Sequence, residues 1–424
     1  MRERPRSKEL FDRARRLMPG GVSSPVRAYR PYPSFMVKGE GSSIFDVDGN
    51  EYLDFSMGFG PLVLGHSDPD VVAALHRQVS MATLLGTPVE KEVEMADLVV
   101  DSLPSVDMIR LVNSGTEATM HAIRLARGHT GKDKVLKIEG AFHGAHDSML
   151  VRAGSGATTH AAPDSLGVPN DFTRHTLLAP FNDLEAAEAL VREHREDLAA
   201  VILEPVIGNA GPIPPEEGYL EGLREVTEEN DVLLIFDEVI TGFRLSMGGA
   251  QELYGVRPDL TVLGKVAGGG LPIGIFAGPE EIMSKVSPTG KVYQAGTFSG
   301  NPLTLAAGLC ALRKLRRLGH EELNEKGRRM LSTLGEAVGD LPLTPQGIGS
   351  MFQLFFRDSP VGDHEGAKGC DTSLYDRVFQ GMMDRGVYLP PAQFETGFLS
   401  TAHSDKDIDR AGEAMAETLQ EVMG

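Results

Sequence analysis

One lysine lies between a short apolar run and three consecutive glycines. Lys265 follows the strand-like segment 260–263, and Gly268, Gly269 and Gly270 come soon after it. Glycines carry no side chain that would keep a ligand away from the backbone. A lysine here is either a solvated surface charge, as most lysines are, or the amine of a Schiff base. A Schiff-base lysine needs a neutral amine, which desolvation or a nearby cation favours.

Two further motifs could serve the same ligand. The segment NSGTEA, 113–118, separates a predicted strand from a predicted helix, and the free N–H groups of a helix start bind phosphate. Its serine and threonine could equally serve only to cap the helix. The segment LLIFDEVITGFR ends an apolar strand with two carboxylates, and strand alternation sends Asp237 and Glu238 to opposite faces. A strand-end cap or an ion pair with Arg244 is the structural alternative.

These three motifs together match one cofactor. A phosphate cradle, a lysine for an aldehyde and a carboxylate for a pyridinium nitrogen are the groups that pyridoxal phosphate requires. The spacing from Asp237 to Lys265 leaves room for one strand–helix–strand unit that returns to the same sheet edge. Dinucleotide and nucleoside-triphosphate loops have no complete match in the sequence. His143 and His146 lack the glutamate of a zincin helix, so we predict no metal site.

Five short apolar runs must position these residues. Each ends in small, polar or charged residues, and helical patterns such as 116–127 and 184–194 separate them. Buried strands that alternate with helices predict a parallel sheet, and ligands bind outside the carboxyl ends of such strands. The runs are MIRLV (108–112), VLKI (135–138), AAVIL (199–203), VLLIF (232–236) and LTVL (260–263).

Two regions depart from this pattern. Residues 152–173 are rich in Gly, Ser, Thr and Pro, and we interpret them as a lid, although a disordered surface insertion fits the composition equally. After about residue 305 the sequence predicts amphipathic helices, the strand GSMFQLFF and a closing helix. We therefore expect an N-terminal segment at 1–66, a large cofactor-binding domain at 67–315 and a small C-terminal domain at 316–424.

The overall composition excludes several classes of partner. Its 41 basic and 60 acidic residues give a net charge of −19, which disfavours nucleic acid and anionic membranes. Cys310 and Cys370 are too few for a disulfide framework, so a reducing cytoplasm fits. No apolar stretch approaches the ~20 residues of a membrane-spanning helix. The first 21 residues predict an amphipathic helix, and we expect a soluble cytoplasmic protein.

From RARRLMPGGVSSPVRAY to AHSDKDID, the chain resembles the glutamate-1-semialdehyde 2,1-aminomutase family of class III, fold-type I pyridoxal-phosphate enzymes. DEVITGFR and NSGTEA are typical of class III aminotransferases broadly. GGVSSPVRA, EPVIGNAGPIPP, YQAGTFSGNPL and QFETGF are more specific to the aminomutases. The resemblance implies an α/β fold with a mainly parallel central sheet flanked by helices, plus a smaller α+β C-terminal domain and an N-terminal segment.

The resemblance also implies site residues. Lys265 would form the Schiff base and move protons, and Asp237 would pair with the pyridine nitrogen. Arg27 would bind the substrate carboxylate, although it could equally be a plain surface charge. The other implied cofactor contacts are Ser114, Gly115, Thr116, Phe142, His143, Glu204, Asn209 and Val239, with Thr297 reaching the site from the neighbouring subunit of a homodimer. The other implied substrate contacts are Ser24, Phe59, Ser155 and Glu395.

Two single residues and one short segment depart from the family pattern. Phe59 replaces the usual tryptophan, and Phe142 replaces the usual tyrosine, which removes a ring hydroxyl. TLLGTP replaces the usual TSFGAP, which places Leu84 and Leu85 near the expected pocket. These changes concern the fit of the substrate and leave the predicted cofactor contacts in place.

The implied reaction is the isomerisation of (S)-4-amino-5-oxopentanoate, glutamate 1-semialdehyde, to 5-aminolevulinate in tetrapyrrole synthesis. The pyridoxamine form of the cofactor would donate its amine and recover the other amine from a diaminovalerate intermediate, which the lid would retain. A contact with the upstream reductase is a further expectation. A class III ω-aminotransferase or amino-acid racemase is one alternative, which GGVSSPVRA disfavours. A non-catalytic pyridoxal-phosphate-binding protein is another, disfavoured by the joint presence of Lys265, Asp237 and Arg27.

Overall fold

The computed structural model describes residues 3–153 and 161–423, so Ser155 and part of the predicted lid lie outside the described residues. The helices are α1 Pro5–Ala14, α2 Pro69–Met81, α3 Glu90–Ser102, α4 Gly115–Thr130, α5 Asn170–Thr173, α6 Leu184–His194, α7 Tyr219–Glu229, α8 Gly249–Tyr254, α9 Glu280–Met283, α10 Pro302–Leu318, α11 Glu321–Val338, α12 His364–Lys368, α13 Thr372–Asp384 and α14 Asp405–Met423. The strands are β1 Met36–Glu40, β2 Ser43–Asp46, β3 Glu51–Asp54, β4 Met108–Val112, β5 Lys134–Ile138, β6 Val151–Ala153, β7 Ala161–Pro163, β8 Thr176–Ala179, β9 Leu198–Leu203, β10 Leu233–Asp237, β11 Leu260–Gly264, β12 Gly274–Gly278, β13 Thr344–Ile348, β14 Met351–Phe355, β15 Val387–Tyr388 and β16 Gly397–Phe398.

The five predicted apolar runs form strands of one seven-stranded sheet. Its order is β4-β12-β11-β10-β9-β5-β8, and β12 runs antiparallel to both of its neighbours while the other pairs are parallel. Every residue of β9 and β11 is buried, as expected for strands covered on both faces. The predicted mainly parallel α/β architecture is therefore confirmed. The carboxyl ends of β4, β5, β9, β10 and β11 meet at one edge of the sheet.

Helices cover the sheet as their apolar spacing predicts. Along α4, the side chains of Ala118, Ala122, Leu125 and Ala126 are buried, and the helix packs against β11 and β12. It ends at Gly131, whose φ of +72° suits a glycine beyond a helix end. The helix predicted at 184–194 has those bounds in the structure. Within residues 3–153 and 161–423, none of the helices combines the length and apolar character that crossing a bilayer requires.

Smaller sheets connect the chain ends to this centre. One has the order β1-β2-β3-β15 and another β13-β14-β16, so strands from both ends of the chain share a sheet through the β3–β15 pair. The predicted lid includes β7, which pairs with β6, and α5. The domain limits at residues 66 and 315 stay a prediction, and the second of them falls within α10.

Candidate active site

The sheet edge opens into one cavity of about 420 Å³. Most of the predicted cofactor contacts meet there, because each follows the carboxyl end of a strand or begins the helix after it. Pro61 and the segment 270–273 close the other side. The predicted residues that line the cavity are Ser114, Gly115, Thr116, Phe142, His143, Glu204, Asn209, Asp237, Val239 and Lys265.

Asp237 ends β10 and is held by two hydrogen bonds. Its Oδ2 lies 2.8 Å from Nδ1 of His143, and its Oδ1 accepts the backbone N–H of Val239 at 3.1 Å. Burial lowers the pKa of His143, and the hydrogen bond with Asp237 opposes that shift. A neutral imidazole can therefore donate its Nδ1–H to the carboxylate. Among the described residues, the buried Nε2 of His143 has no hydrogen-bond partner.

Glu238 points away from the cavity, as strand alternation predicts. Its fully buried carboxylate accepts hydrogen bonds from Oγ1 of Thr241 at 2.9 Å and Nε2 of Gln251 at 3.0 Å. The alternative ion pair with Arg244 is wrong, because the described contacts of Arg244 are to a hydroxyl, to carbonyls and to an aromatic ring. Only Asp237 of the two acids can therefore act on a ligand in the cavity.

Lys265 starts directly after β11 with a strained backbone. Its φ of +41° is rare for a residue with a side chain, and such outliers cluster at functional sites. Burial lowers the pKa of Lys265, while the charges of Glu204, Glu395 and Asp237 oppose this shift. The remaining exposed surface of Lys265 faces the cavity that it lines. The structure therefore favours a Schiff-base amine over a solvated surface charge, because desolvation promotes the neutral amine.

Glu204 follows β9 and organises the floor of the cavity. Its carboxylate accepts the backbone N–H of Phe142 at 2.8 Å, the backbone N–H of Gly208 at 2.9 Å and Nδ2 of Asn209 at 3.1 Å. Burial, followed by the nearby charge of Asp237, raises the pKa of Glu204 to about 7. Glu204 can therefore hold or release a proton near neutral pH while it orders Phe142 and Asn209.

The N-terminus of α4 forms the opposite wall. Ser114 caps the helix, because its Oγ accepts the backbone N–H of Glu117 at 3.1 Å, while Gly115 and Thr116 face the cavity. The capping interpretation of NSGTEA is therefore confirmed, and phosphate binding at this helix start stays a prediction. A Cβ at Gly144 would lie only 2.6 Å from Cα of Thr116, and one at Gly115 would lie 3.1 Å from Val239. Glycine keeps the approach to the helix N–H groups open.

Several predicted residues lie away from this cavity. Thr297 is exposed, and so is Arg27, which ends the short turn Pro25–Arg27. Ser24 and Phe59 are partly exposed and are not among its lining residues. Glu395 lines an adjoining cavity of about 590 Å³ that shares Phe142 and Asn209 with the first and includes Val26 next to Arg27. Ser155 lies outside the described residues.

The sequence interpretation missed several contributors. Asn113, Gly144 and Ile240 line the smaller cavity, as do Leu271, Pro272 and Ile273, which follow the glycine run that drew attention to Lys265. Lys137 of β5 lines the adjoining cavity and donates to the backbone carbonyl of Met149 at 2.9 Å. Burial lowers the pKa of Lys137 to about 8. A lysine inside the apolar run VLKI was the available signal.

The lining groups suit pyridoxal phosphate in their chemistry and placement. The start of a 16-residue helix offers N–H groups to a phosphate, and Gly115 and Gly144 place no side chain beside it. Asp237 offers a fixed carboxylate to a ring nitrogen, and Lys265 offers an amine of lowered pKa. The cavity thus holds the three kinds of group that this cofactor requires.

Similarity to known proteins agrees with this chemistry. A glutamate-1-semialdehyde 2,1-aminomutase of Methanosarcina acetivorans is 55% identical to this chain over 417 residues, which cover 98% of each protein. The protein of the same name from Archaeoglobus fulgidus is 52% identical over 98% of this chain and 99% of its own length.

Solved structures give the same picture of the fold. A crystal structure of an omega-transaminase from Sphaerobacter thermophilus has a TM-score of 0.94 at 36% identity and covers 99% of this chain and 98% of its own. A glutamate-1-semialdehyde aminomutase from Pseudomonas aeruginosa has a TM-score of 0.89 at 26% identity, with 99% and 95% covered. The family model for class-III aminotransferases matches residues 25–392. The chain therefore belongs to the class-III aminotransferase family.

Proposed function

We propose that this chain isomerises (S)-4-amino-5-oxopentanoate to 5-aminolevulinate, a step of tetrapyrrole synthesis, by intramolecular amino transfer. The observation that carries the proposal is the meeting of Lys265 and Asp237 in one cavity, in a chain that shares about half of its residues with relatives named for this activity. Pyridoxal phosphate, when bound, supplies a carbonyl that exchanges amines and a cationic ring that stabilises a carbanion.

Lys265 is proposed to move the protons. A proton carrier must accept a proton at one stage and return it at the next, so its pKa must lie closer to neutral than that of an ordinary lysine. Burial moves the pKa of Lys265 in that direction. Lys265 follows the strand end with a φ of +41° and lines the cavity.

The other residues are proposed to hold the reactants. Asp237, oriented by His143 and by the backbone of Val239, would keep a positive charge on the ring nitrogen. The N–H groups at Gly115 and Thr116 would bind the phosphate. Phe142 would cover one ring face, with its backbone fixed by Glu204.

We expect Arg27→Ala to raise the KM for the aldehyde substrate by roughly 10- to 100-fold, the size of a lost charge-assisted hydrogen bond, with a smaller change in kcat. Arg27 adjoins Val26, which lines the cavity that Glu395 also lines. Steady-state kinetics would measure the effect, with Arg13→Ala on the exposed face of α1 as the matched control. An unchanged KM would place the substrate carboxylate elsewhere.

The direct test of the function uses one substrate only. The purified protein, loaded with pyridoxamine phosphate, is incubated with glutamate 1-semialdehyde and no other amino donor, and 5-aminolevulinate is assayed. We expect many product molecules per active site. A single conversion of the cofactor to its aldehyde form, without turnover, would contradict the aminomutase proposal.

A second candidate is an ω-aminotransferase. The observation in its favour is that the solved omega-transaminase is more similar to this chain than the solved aminomutase, at 36% against 26% identity. The curated relatives weigh more, because their identities of 52–55% extend over 98% of the chain. Turnover that requires an external amine and yields a keto acid would favour the aminotransferase.

We further propose a homodimer in which Thr297 completes the neighbouring site. Exposed aromatic side chains at Tyr293 and Phe298 flank this threonine, which supports a covered surface there. Cytoplasmic location fits the two free cysteines, Cys310 and Cys370. The three-part domain division, the lid and the contact with the upstream reductase stay predictions.

A further inference from the structure

Arg244 is a fully buried cation beneath the candidate site. Its NH1 donates to Oγ of Ser350 at 2.9 Å and to the backbone carbonyl of Leu399 at 3.1 Å. Its NH2 donates to the backbone carbonyl of Gly60, and its guanidinium carbon lies 4.8 Å from the centre of the Phe398 ring. Its contacts are therefore carbonyls, a hydroxyl and an aromatic face.

This bonding pattern is unusual for stability alone. Burying a charge is costly, and within the described residues no carboxylate pairs with Arg244, while its buried Nε has no hydrogen-bond partner. Burial lowers the pKa of Arg244 to about 9, which expresses this cost. A long apolar side chain would fill this space without the cost of a buried charge. A planar guanidinium, however, can hold several acceptors in one fixed arrangement.

Two of the acceptors, the carbonyls of Gly60 and Leu399, belong to segments that include lining residues of the two cavities. Gly60 lies between Phe59, whose φ is +65°, and Pro61, which lines the cofactor cavity. Phe398 and Leu399 follow closely after Glu395, which lines the adjoining cavity.

Backbone hydrogen bonds also connect residues 398 and 399 to other parts of the chain. The backbone N–H of Phe398 donates to the carbonyl of Phe55 at 2.7 Å, and that of Leu399 donates to the carbonyl of Ser350 at 2.9 Å. A Cβ at Gly60 would lie 3.1 Å from the Phe398 ring, so the two segments are already in close contact. Arg244 thus joins three distant parts of the chain at one point.

We propose that Arg244 is a positioning residue, which holds the segment 57–62 and the segment 395–399 at the distance that the aldehyde substrate requires. This inference deepens the proposed function and rests on it for the identity of the substrate. The charge has a second effect. Burial is the main cause that lowers the pKa of Lys265, and the positive charge of Arg244 acts in the same direction.

Two substitutions separate the geometry from the charge. Arg244→Met keeps an unbranched but shorter side chain and removes the cation, whereas Arg244→Lys keeps a cation that cannot reach all the acceptors. Arg224→Met is the matched control, because Arg224 is a partly buried arginine that bonds Asp259, away from the cavity. Two quantities are measured on cofactor-loaded protein: the KM and kcat for the aldehyde, and the pH midpoint of the cofactor absorption change that reports protonation at the Lys265 nitrogen.

In Arg244→Met we expect a KM about 10-fold higher with a smaller change in kcat, and a midpoint shifted to higher pH. In Arg244→Lys we expect the raised KM with a midpoint close to that of the unsubstituted protein. Arg224→Met should change neither quantity. A lower melting temperature with unchanged KM and midpoint in Arg244→Met would mark a purely structural arginine and overturn the proposal.

Two safeguards keep this test decisive. If Arg244→Met does not fold, Ser350→Ala takes its place, because it removes one acceptor of Arg244 and should also raise the KM. Unchanged KM values in both Ser350→Ala and Arg244→Lys would then overturn the proposal. If the unsubstituted protein does not isomerise the aldehyde, the proposed function fails by itself. The midpoint comparison still tests the effect of Arg244 on Lys265, because it needs only the bound cofactor.

Discussion

Lys265→Ala should abolish the Schiff-base absorption band and lower turnover by roughly 10³-fold or more, because a positioned proton carrier contributes about 10²- to 10⁴-fold and the covalent attachment is lost as well. The amine of Lys265 lies in the same cavity as the carboxylate of Asp237, and its lowered pKa suits proton transfer. The measurements are the visible spectrum of the reconstituted protein and the rate of 5-aminolevulinate formation.

Lys285→Ala is the matched control for this prediction. Lys285 is exposed and is not among the residues that line the cavity, so its removal should leave the spectrum and the rate unchanged. Lys265→Ala should still bind the cofactor through the start of α4 and Asp237. A normal Schiff-base band in Lys265→Ala would show that another amine carries the cofactor.

Asp237→Asn should lower kcat by roughly 10²-fold or more while the protein still folds, because a neutral amide does not hold positive charge on the ring nitrogen. The asparagine keeps the shape and can still accept the Val239 N–H bond, which Oδ1 of Asp237 accepts at 3.1 Å. We expect the affinity for the cofactor to fall as well. Steady-state kinetics and a titration with pyridoxal phosphate would measure both effects.

The neighbouring acid provides the control for Asp237→Asn. Glu238→Gln changes the adjacent buried carboxylate, which bonds Thr241 and Gln251 away from the cavity. It should lower the melting temperature and leave the kcat of the loaded protein within about twofold, because it makes no contact in the cavity. A kcat for Asp237→Asn equal to that of the unsubstituted protein would remove Asp237 from the proposed mechanism.

Local sequence pattern predicted most of the elements that carry the site. Strands buried on both faces are apolar along nearly their whole length, so runs such as AAVIL and LTVL were recognisable, and β9 and β11 are buried throughout. The spacing of apolar residues predicted α6 with its observed bounds. Alternation along β10 predicted that Asp237 and Glu238 face opposite sides of the sheet, so that only one of them can face a ligand.

Other features depend on contacts between distant parts of the chain. Arg244 bonds residues 106, 155 and 184 positions away, and its place in DEVITGFR suggested a local ion pair that the structure contradicts. The Nε2 of His143 is buried without a hydrogen-bond partner among residues 3–153 and 161–423, and the pKa of Glu204 is raised, because several elements bury these groups at once. No periodic pattern in the sequence records such burial.

The sequence by itself determined the type of sheet, the order of the motifs and the chemical kind of the groups at the strand ends, because each of these follows from local spacing and from the geometry of parallel strands. The tertiary structure decided the environment of those groups. It desolvates the amine of Lys265, joins His143 to Asp237 and sets Arg244 beneath the substrate side of the cavity. Desolvation and hydrogen bonding between distant segments exist only once the chain has closed around the site.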